Sequence, residues 1–204
     1  MSRFRDIQSE IDQIITEINL RMDDVLIEFG SGTSELSIYA AQLCKKVIAV
    51  DISNEMIEYS KIKAESRGIK NIEFINAGYL SYRHSIENVD KIVSQLALHH
   101  IPDFWKQIAL CNLSKILKPN GIFYLADVIF SFNPLDYKNE FDKVYLEFKE
   151  NANDELSSEW IHHINQEYST FSWVIEKMLE KANFRLIKKI EKTKVYMVYI
   201  SQKI

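Results

Sequence analysis

Val25-Leu26-Ile27-Glu28-Phe29-Gly30-Ser31-Gly32-Thr33-Ser34-Glu35 decides how this chain folds. A short run of mostly apolar, β-prone residues meets two glycines one residue apart. A helical pattern follows, with Leu36, Ala40 and Leu43 able to share a face. Strand, tight glycine turn and helix form the unit in which backbone N–H groups approach a ligand and a helix N-terminus points at it. The next apolar run, Val47-Ile48-Ala49-Val50, ends in Asp51. An acidic residue there can accept both hydroxyls of a ribose. A nucleoside-containing ligand is therefore expected.

The turn also bears on which nucleoside. A dinucleotide site wants a third glycine where the helix packs under a pyrophosphate. Here the pattern is Gly30-x-Gly32-x-x-Glu35, and a glutamate at a helix N-terminus opposes a phosphate. No Lys-[Ser/Thr] pair follows to build a phosphate loop. A ligand without phosphate fits better, and S-adenosylmethionine, a nucleoside carrying a cationic sulfonium amino acid, is one. Glu28 adds negative charge just before the turn.

Val25 through Ala41 resembles motif I of the class I S-adenosylmethionine-dependent methyltransferases, and Lys46 through Ala64, with Asp51-Ile52-Ser53-x-x-Met56, resembles their motif II. Ser94-Gln95-Leu96-Ala97-Leu98-His99-His100-Ile101-Pro102-Asp103 is similar to the segment after the fourth strand in the branch that includes the ubiquinone/menaquinone-biosynthesis enzymes. Leu117-Lys118-Pro119-Asn120-Gly121 resembles the turn before the fifth strand. The likeness implies a Rossmann-like α/β fold of seven strands in the order 3-2-1-4-5-7-6, the last strand antiparallel, with helices on both faces. It implies S-adenosylmethionine as donor and S-adenosylhomocysteine as product.

The bulk numbers agree with a globular chain. Its 204 residues, 47% hydrophobic, suffice for one domain, 1–204, with a modest insertion. A formal charge of −4 gives no support to a broad nucleic-acid footprint. Cys44 and Cys111, each inside an apolar helical pattern, define neither a metal cluster nor a disulfide framework. A polar start without a hydrophobic signal segment, and no apolar stretch long enough to span a bilayer, lead to the expectation of a cytoplasmic protein. Monomer and homodimer both stay open.

Spacing gives the remaining elements. Ile7, Ile11, Ile14, Ile15 and Ile18 mark an amphipathic first helix. Methyltransferases of the family this chain resembles usually carry a longer segment before the first strand. Here some twenty residues precede it, so either the cap over donor and acceptor is short, or another part of the chain or a partner supplies it. Strands are expected at 25–29, 47–51, 72–75, 91–95 and 122–129, with helix A at 33–44. Ser53 caps a helix that runs to about Arg67, and Gly68 ends it. Pro102 begins the next helix. From Phe132 to Tyr168 the pattern turns helical and aromatic, with Tyr137, Phe141, Val144, Tyr145 and later Trp160 and Ile161. This stretch, 132–168, is too long for a plain loop and reads as a helical lid over the pocket mouth, with a helical decoration or dimer surface as the alternative. Ser169 or Thr170 caps a last helix, Asn183 ends it, and two strands joined by a turn at Glu191–Lys194 close the sheet.

Candidate site residues follow from these placements. Gly30 and Gly32 shape the donor turn, Glu28 helps place the donor's amino-acid end, and Asp51 is the ribose ligand. Ile52 either packs on the adenine face or is plain core. Relatives often carry an acid after strand three, but this chain has Ala77-Gly78-Tyr79, so a backbone group at Gly78 or the Tyr79 ring would meet the adenine. Gln95 ends strand four, where the transferable methyl is expected. His99 is the leading general base, although a His-His pair there can equally support the loop. His100, Asp127, Phe132, Tyr137 and Trp160 are candidates for contact with the acceptor, and Asp127 reads equally as a structural acid. No recognisable metal-ligand spacing occurs among the histidines and carboxylates, including His162 and His163, so no metal is expected.

The absence of an Asn/Asp-Pro-Pro-aromatic sequence after strand four, and of a motif cysteine, leaves transfer to an oxygen, nitrogen or activated carbon of a small molecule by in-line displacement. Three other readings stand beside it. A tRNA- or protein-modifying methyltransferase would need a basic patch or peptide groove. A non-catalytic donor-binding protein or partner subunit is motivated by the missing acid at Gly78. An NAD-type oxidoreductase is disfavoured by the absent third glycine.

Overall fold

A computed structural model describes residues 6–84, 89–151 and 166–204. The helices are α1 (Ile7–Ile18), α2 (Glu35–Ala40), α3 (Asn54–Ser66), α4 (Asp103–Ile116), α5 (Tyr137–Asn151) and α6 (Ser172–Lys181). The strands are β1 (Val25–Phe29), β2 (Lys46–Asp51), β3 (Ile72–Asn76), β4 (Val89–Gln95), β5 (Leu117–Phe130), the two-residue β6 (Thr170–Phe171), β7 (Phe184–Thr193) and β8 (Tyr196–Lys203). Trp160, Ile161, His162 and His163 lie outside the described residues.

The sheet order is β3-β2-β1-β4-β5-β8-β7, with β6 paired to β5 off this path. Leaving β6 aside, this is the expected seven-strand order. The first five strands are parallel, and β8 runs antiparallel to both β5 and β7. Both faces are covered, which explains the unbroken apolar runs. Successive side chains point to opposite faces. Thus Leu26 packs with Ile14 and Ile18 of α1, whereas Ile27 packs with Leu110 and Leu113 of α4 and Leu179 of α6.

Element ends follow local chemistry. The Ser53 hydroxyl accepts the Met56 N–H at 3.2 Å and caps α3, and Gly68 (φ 69°) and Asn183 (φ 61°) end their helices in the left-handed region. Several boundaries differ from expectation, and β5 already begins at Leu117, so that Leu117–Gly121 lies within the strand and is not a turn before it. Helix α2 spans only Glu35–Ala40. After Ala40 the chain tightens into turns, and the Asn71 side chain takes the carbonyls of Ala41 and Cys44. Thr170 does not cap α6. Its backbone joins β6 and its hydroxyl donates to Asp103 at 3.1 Å, so Phe171 precedes the helix without a side-chain cap. The last hairpin turns at Lys194–Val195 rather than Glu191–Lys194, because buried Val195 is drawn against Val128 and Phe130.

A helical insertion follows β5. A short turn at Pro134–Asp136 leads into α5, whose Phe141 and Val144 pack on Phe130, Phe132, Phe171 and Leu96. The Phe132 ring lies 5.6 Å from Phe141 and 5.7 Å from Phe171, both edge-to-face. Among the described residues, no helix is long and apolar enough to cross a membrane.

Candidate functional site

In an open α/β sheet, ligands bind beyond the C-terminal strand ends where the strand order reverses. That point lies between β1 and β4, and the loops leaving these strands touch. A Cβ on Gly30 (φ 72°) would sit 2.4 Å from Ala97 Cβ, so only glycine lets the two loops approach this closely. Ser34 also adopts a left-handed backbone (φ 55°), strained for any residue with a Cβ.

Most of the turn's N–H groups are already used within the protein. Those of Gly30 and Ser31 donate to Val50 O at 2.9 and 3.1 Å, and that of Ser34 to Ser31 O at 2.7 Å. That of Gly32 donates to Asp51 Oδ2 at 2.7 Å. A phosphate cradle aims such groups at its ligand. With four donors spent internally and Glu35 opening α2, the turn refuses a phosphate.

Asp51 Oδ1 accepts the Ser53 N–H at 2.8 Å, so both carboxylate oxygens are oriented while each keeps a lone pair. Ile52 is 77% exposed, which removes the core reading. Its Cγ2 lies 2.9 Å from where a Gly78 Cβ would be, so Ile52 and Gly78 make one apolar shelf beside Asp51. Asn76, which sequence reasoning passed over, braces the shelf by donating to the carbonyls of Asp51 and Ile52. The hydroxyls of Ser31 and Ser34 are buried without a hydrogen-bond partner, orphaned polar atoms within the glycine turn.

Glu28 lies beneath the turn, 5% exposed, and accepts the Ser37 hydroxyl at 2.5 Å. Burial, with the Asp51 charge adding to it, pushes its carboxyl up to about 7. Tyr79 does not offer a free face for a base. It stacks on Phe29 with centroids 5.2 Å apart, and its hydroxyl meets Ser94 Oγ at 2.5 Å. Gln95 turns toward α1, where its amide donates to Glu10 at 3.4 Å.

The loop after β4 holds a second cluster. Asp127, 1% exposed, accepts the N–H groups of Leu98 (2.9 Å), His99 (3.1 Å) and Val128 (2.8 Å) and also bonds His99 Nδ1. Both its oxygens are occupied within the protein, and one of them holds the His99 ring. His99 is itself only 3% exposed, and its Nε2 faces Glu167 Oε2 at 2.9 Å. Burial pulls its pKa down, but the Asp127 hydrogen bond and the charges of Asp127 and Glu167 outweigh that and raise it. A general base open to the acceptor is not what this geometry presents. His100 turns Nδ1 toward Glu167 Oε1 at 3.4 Å. Nothing in the sequence spacing pointed to Glu167, which reaches this loop only by tertiary folding.

Of the acceptor candidates, Phe132 is 7% exposed, inside the insertion's aromatic cluster. Tyr137 is half-exposed, 6.2 Å from the Phe141 ring. Trp160 lies outside the described residues. A groove of about 410 Å³ opens at the opposite end of the strands, between Asp24, Asp90, Lys91 and Lys118, and shares no residue with the glycine turn.

A family model described as a methyltransferase domain matches residues 20–200. The chain is 27% identical over 186 residues to an uncharacterised methyltransferase of Oceanobacillus iheyensis, covering 91% of this chain and 80% of that protein. In solved structures it resembles a putative methyltransferase from Bacillus halodurans (14% identity, TM-score 0.74, covering 96% and 99% of the two chains). It also resembles the N-methyltransferase NodS of Bradyrhizobium japonicum in complex with S-adenosylhomocysteine (13%, TM-score 0.67, 96% and 86%).

Proposed function

The chain belongs to the methyltransferase-domain family of the class I S-adenosylmethionine-dependent superfamily, and we propose that it methylates an oxygen, nitrogen or activated carbon of a small molecule. The observation that carries the donor assignment is the glycine turn with its N–H groups spent internally beside an oriented Asp51. These residues fit S-adenosylmethionine. Asp51 would take the ribose hydroxyls, Ile52 and Gly78 would flank the adenine, and the orphaned Ser31 hydroxyl would gain a partner. When bound, the donor supplies a sulfonium methyl that an acceptor lone pair displaces in line, leaving S-adenosylhomocysteine.

The chain's own contribution is orientation and exclusion of water. We assign the acceptor side to the loop after β4 and to the insertion acting as a lid within a single domain. Leu96, directly after Gln95, packs into the insertion's aromatic cluster and so couples the two. The likeness of Ser94 through Asp103 to the ubiquinone/menaquinone branch supports an apolar or aromatic acceptor. We assign the protein to the cytoplasm, where thiols such as those of Cys44 and Cys111, which form no disulfide, are kept reduced.

Calorimetric titration with S-adenosylmethionine, S-adenosylhomocysteine and NAD tests the donor. Saturable binding of the first two with none for NAD supports the reading. Silence with the first two, or binding of NAD alone, overturns it.

A further inference from the structure

We infer that His99, His100 and Glu167 form a binding site for a divalent transition-metal ion of the zinc class. One donor atom from each residue lies within 4.8 Å of the others. His99 Nε2 and Glu167 Oε2 are 2.9 Å apart, and His100 Nδ1 and Glu167 Oε1 are 3.4 Å apart. Donors bound to one ion at about 2.0–2.2 Å stand roughly 3 to 3.5 Å from each other, and both histidine–carboxylate approaches already match that spacing.

The surroundings fit a metal in three further respects. Asp127 holds His99 Nδ1 and the His99 backbone N–H together, which aims Nε2 at Glu167. A ligating histidine is ordinarily fixed this way, its second nitrogen on a carboxylate. Glu167 is on a pinned segment, for the Tyr168 N–H donates to His99 O at 2.9 Å and the Lys106 ammonium bonds Tyr168 O. The ligand types, two imidazoles and one carboxylate, suit zinc and leave positions for water or substrate. Entry is available on the His100 side, whose side chain is 53% exposed.

A proton between His99 and Glu167 is the competing occupant. A proton on His100 Nδ1 likewise accounts for its approach to Glu167 Oε1, and metal uptake distinguishes such hydrogen bonds from a shared ion. The inference is independent of the methyl-transfer reading, since its test uses neither donor nor acceptor.

The experiment is competition of the full chain, freed of metal by chelator, against a chromophoric chelator for Zn²⁺, with Co²⁺ uptake followed by visible absorption. One equivalent is expected. His100→Ala and Glu167→Gln should each lower affinity at least tenfold, and thermal melts check that both fold. Wild-type protein without saturable uptake overturns the inference and leaves the proton in place. Uptake equal in wild type and both variants also overturns it, by locating the metal elsewhere.

Discussion

Glu28 makes the fold's stability depend on pH in a direction opposite to that of an ordinary salt-bridged carboxylate. Its carboxyl, buried below the glycine turn, is pushed from 4.5 up to about 7. The folded state therefore holds a proton that the unfolded chain releases in this interval. The stability it confers is complete below the unfolded value and is lost as pH rises through about 7. At about 1.4 kcal/mol per pH unit, the interval corresponds to roughly 3 kcal/mol. Glu28→Gln removes the titration while keeping the shape and an acceptor for Ser37. Urea unfolding of both proteins at about pH 5 and about pH 8.5 gives four free energies, and the wild type should lose roughly 2.5 kcal/mol more than the variant between the two conditions. In melting temperature this is roughly 5–10 °C for a chain of this size. Any constant cost of the amide cancels in the comparison, as do other titrating groups. Parallel pH profiles for the two proteins would refute the burial argument.

Asp51→Ala should weaken S-adenosylmethionine binding at least about tenfold in calorimetry, because it removes the acceptor and releases the Gly32 and Ser53 N–H groups that shape the turn. Unchanged affinity would remove the ribose assignment. Ser34→Gly should raise stability by about 1 kcal/mol in urea unfolding, since it relieves a left-handed serine and a buried, unpartnered hydroxyl. A clear loss would mean that the hydroxyl matters more than the backbone. Gly30→Ala should cost about 2–4 kcal/mol through its contact with Ala97 and its backbone angle. Adding Ala97→Gly should recover part of that loss, and no recovery would show that the clash is not the cause.

The alternation of strand and helix was legible because apolar periodicity is local. Val25–Phe29, Val47–Asp51 and Ile72–Ile75 announce themselves, and Ser53, Gly68 and Asn183 mark helix ends by backbone chemistry within a few residues. The sheet order came from the family likeness, and the structure has it. Boundaries slipped where a distant partner intervened, as when β5 captured Thr170 and the core captured Val195.

For the candidate site, the sequence alone fixed a glycine turn unsuited to phosphate and an acid at the end of β2, because both lie within one strand–turn–helix–strand stretch. Only the tertiary structure decided which polar groups remain available. It stacked Tyr79 on Phe29, filled Asp127 with backbone N–H groups, exposed Ile52 and brought Glu167 to His99 and His100. Those outcomes depend on burial and on pairings between segments far apart in the chain, and a buried polar group takes whichever partner the fold delivers.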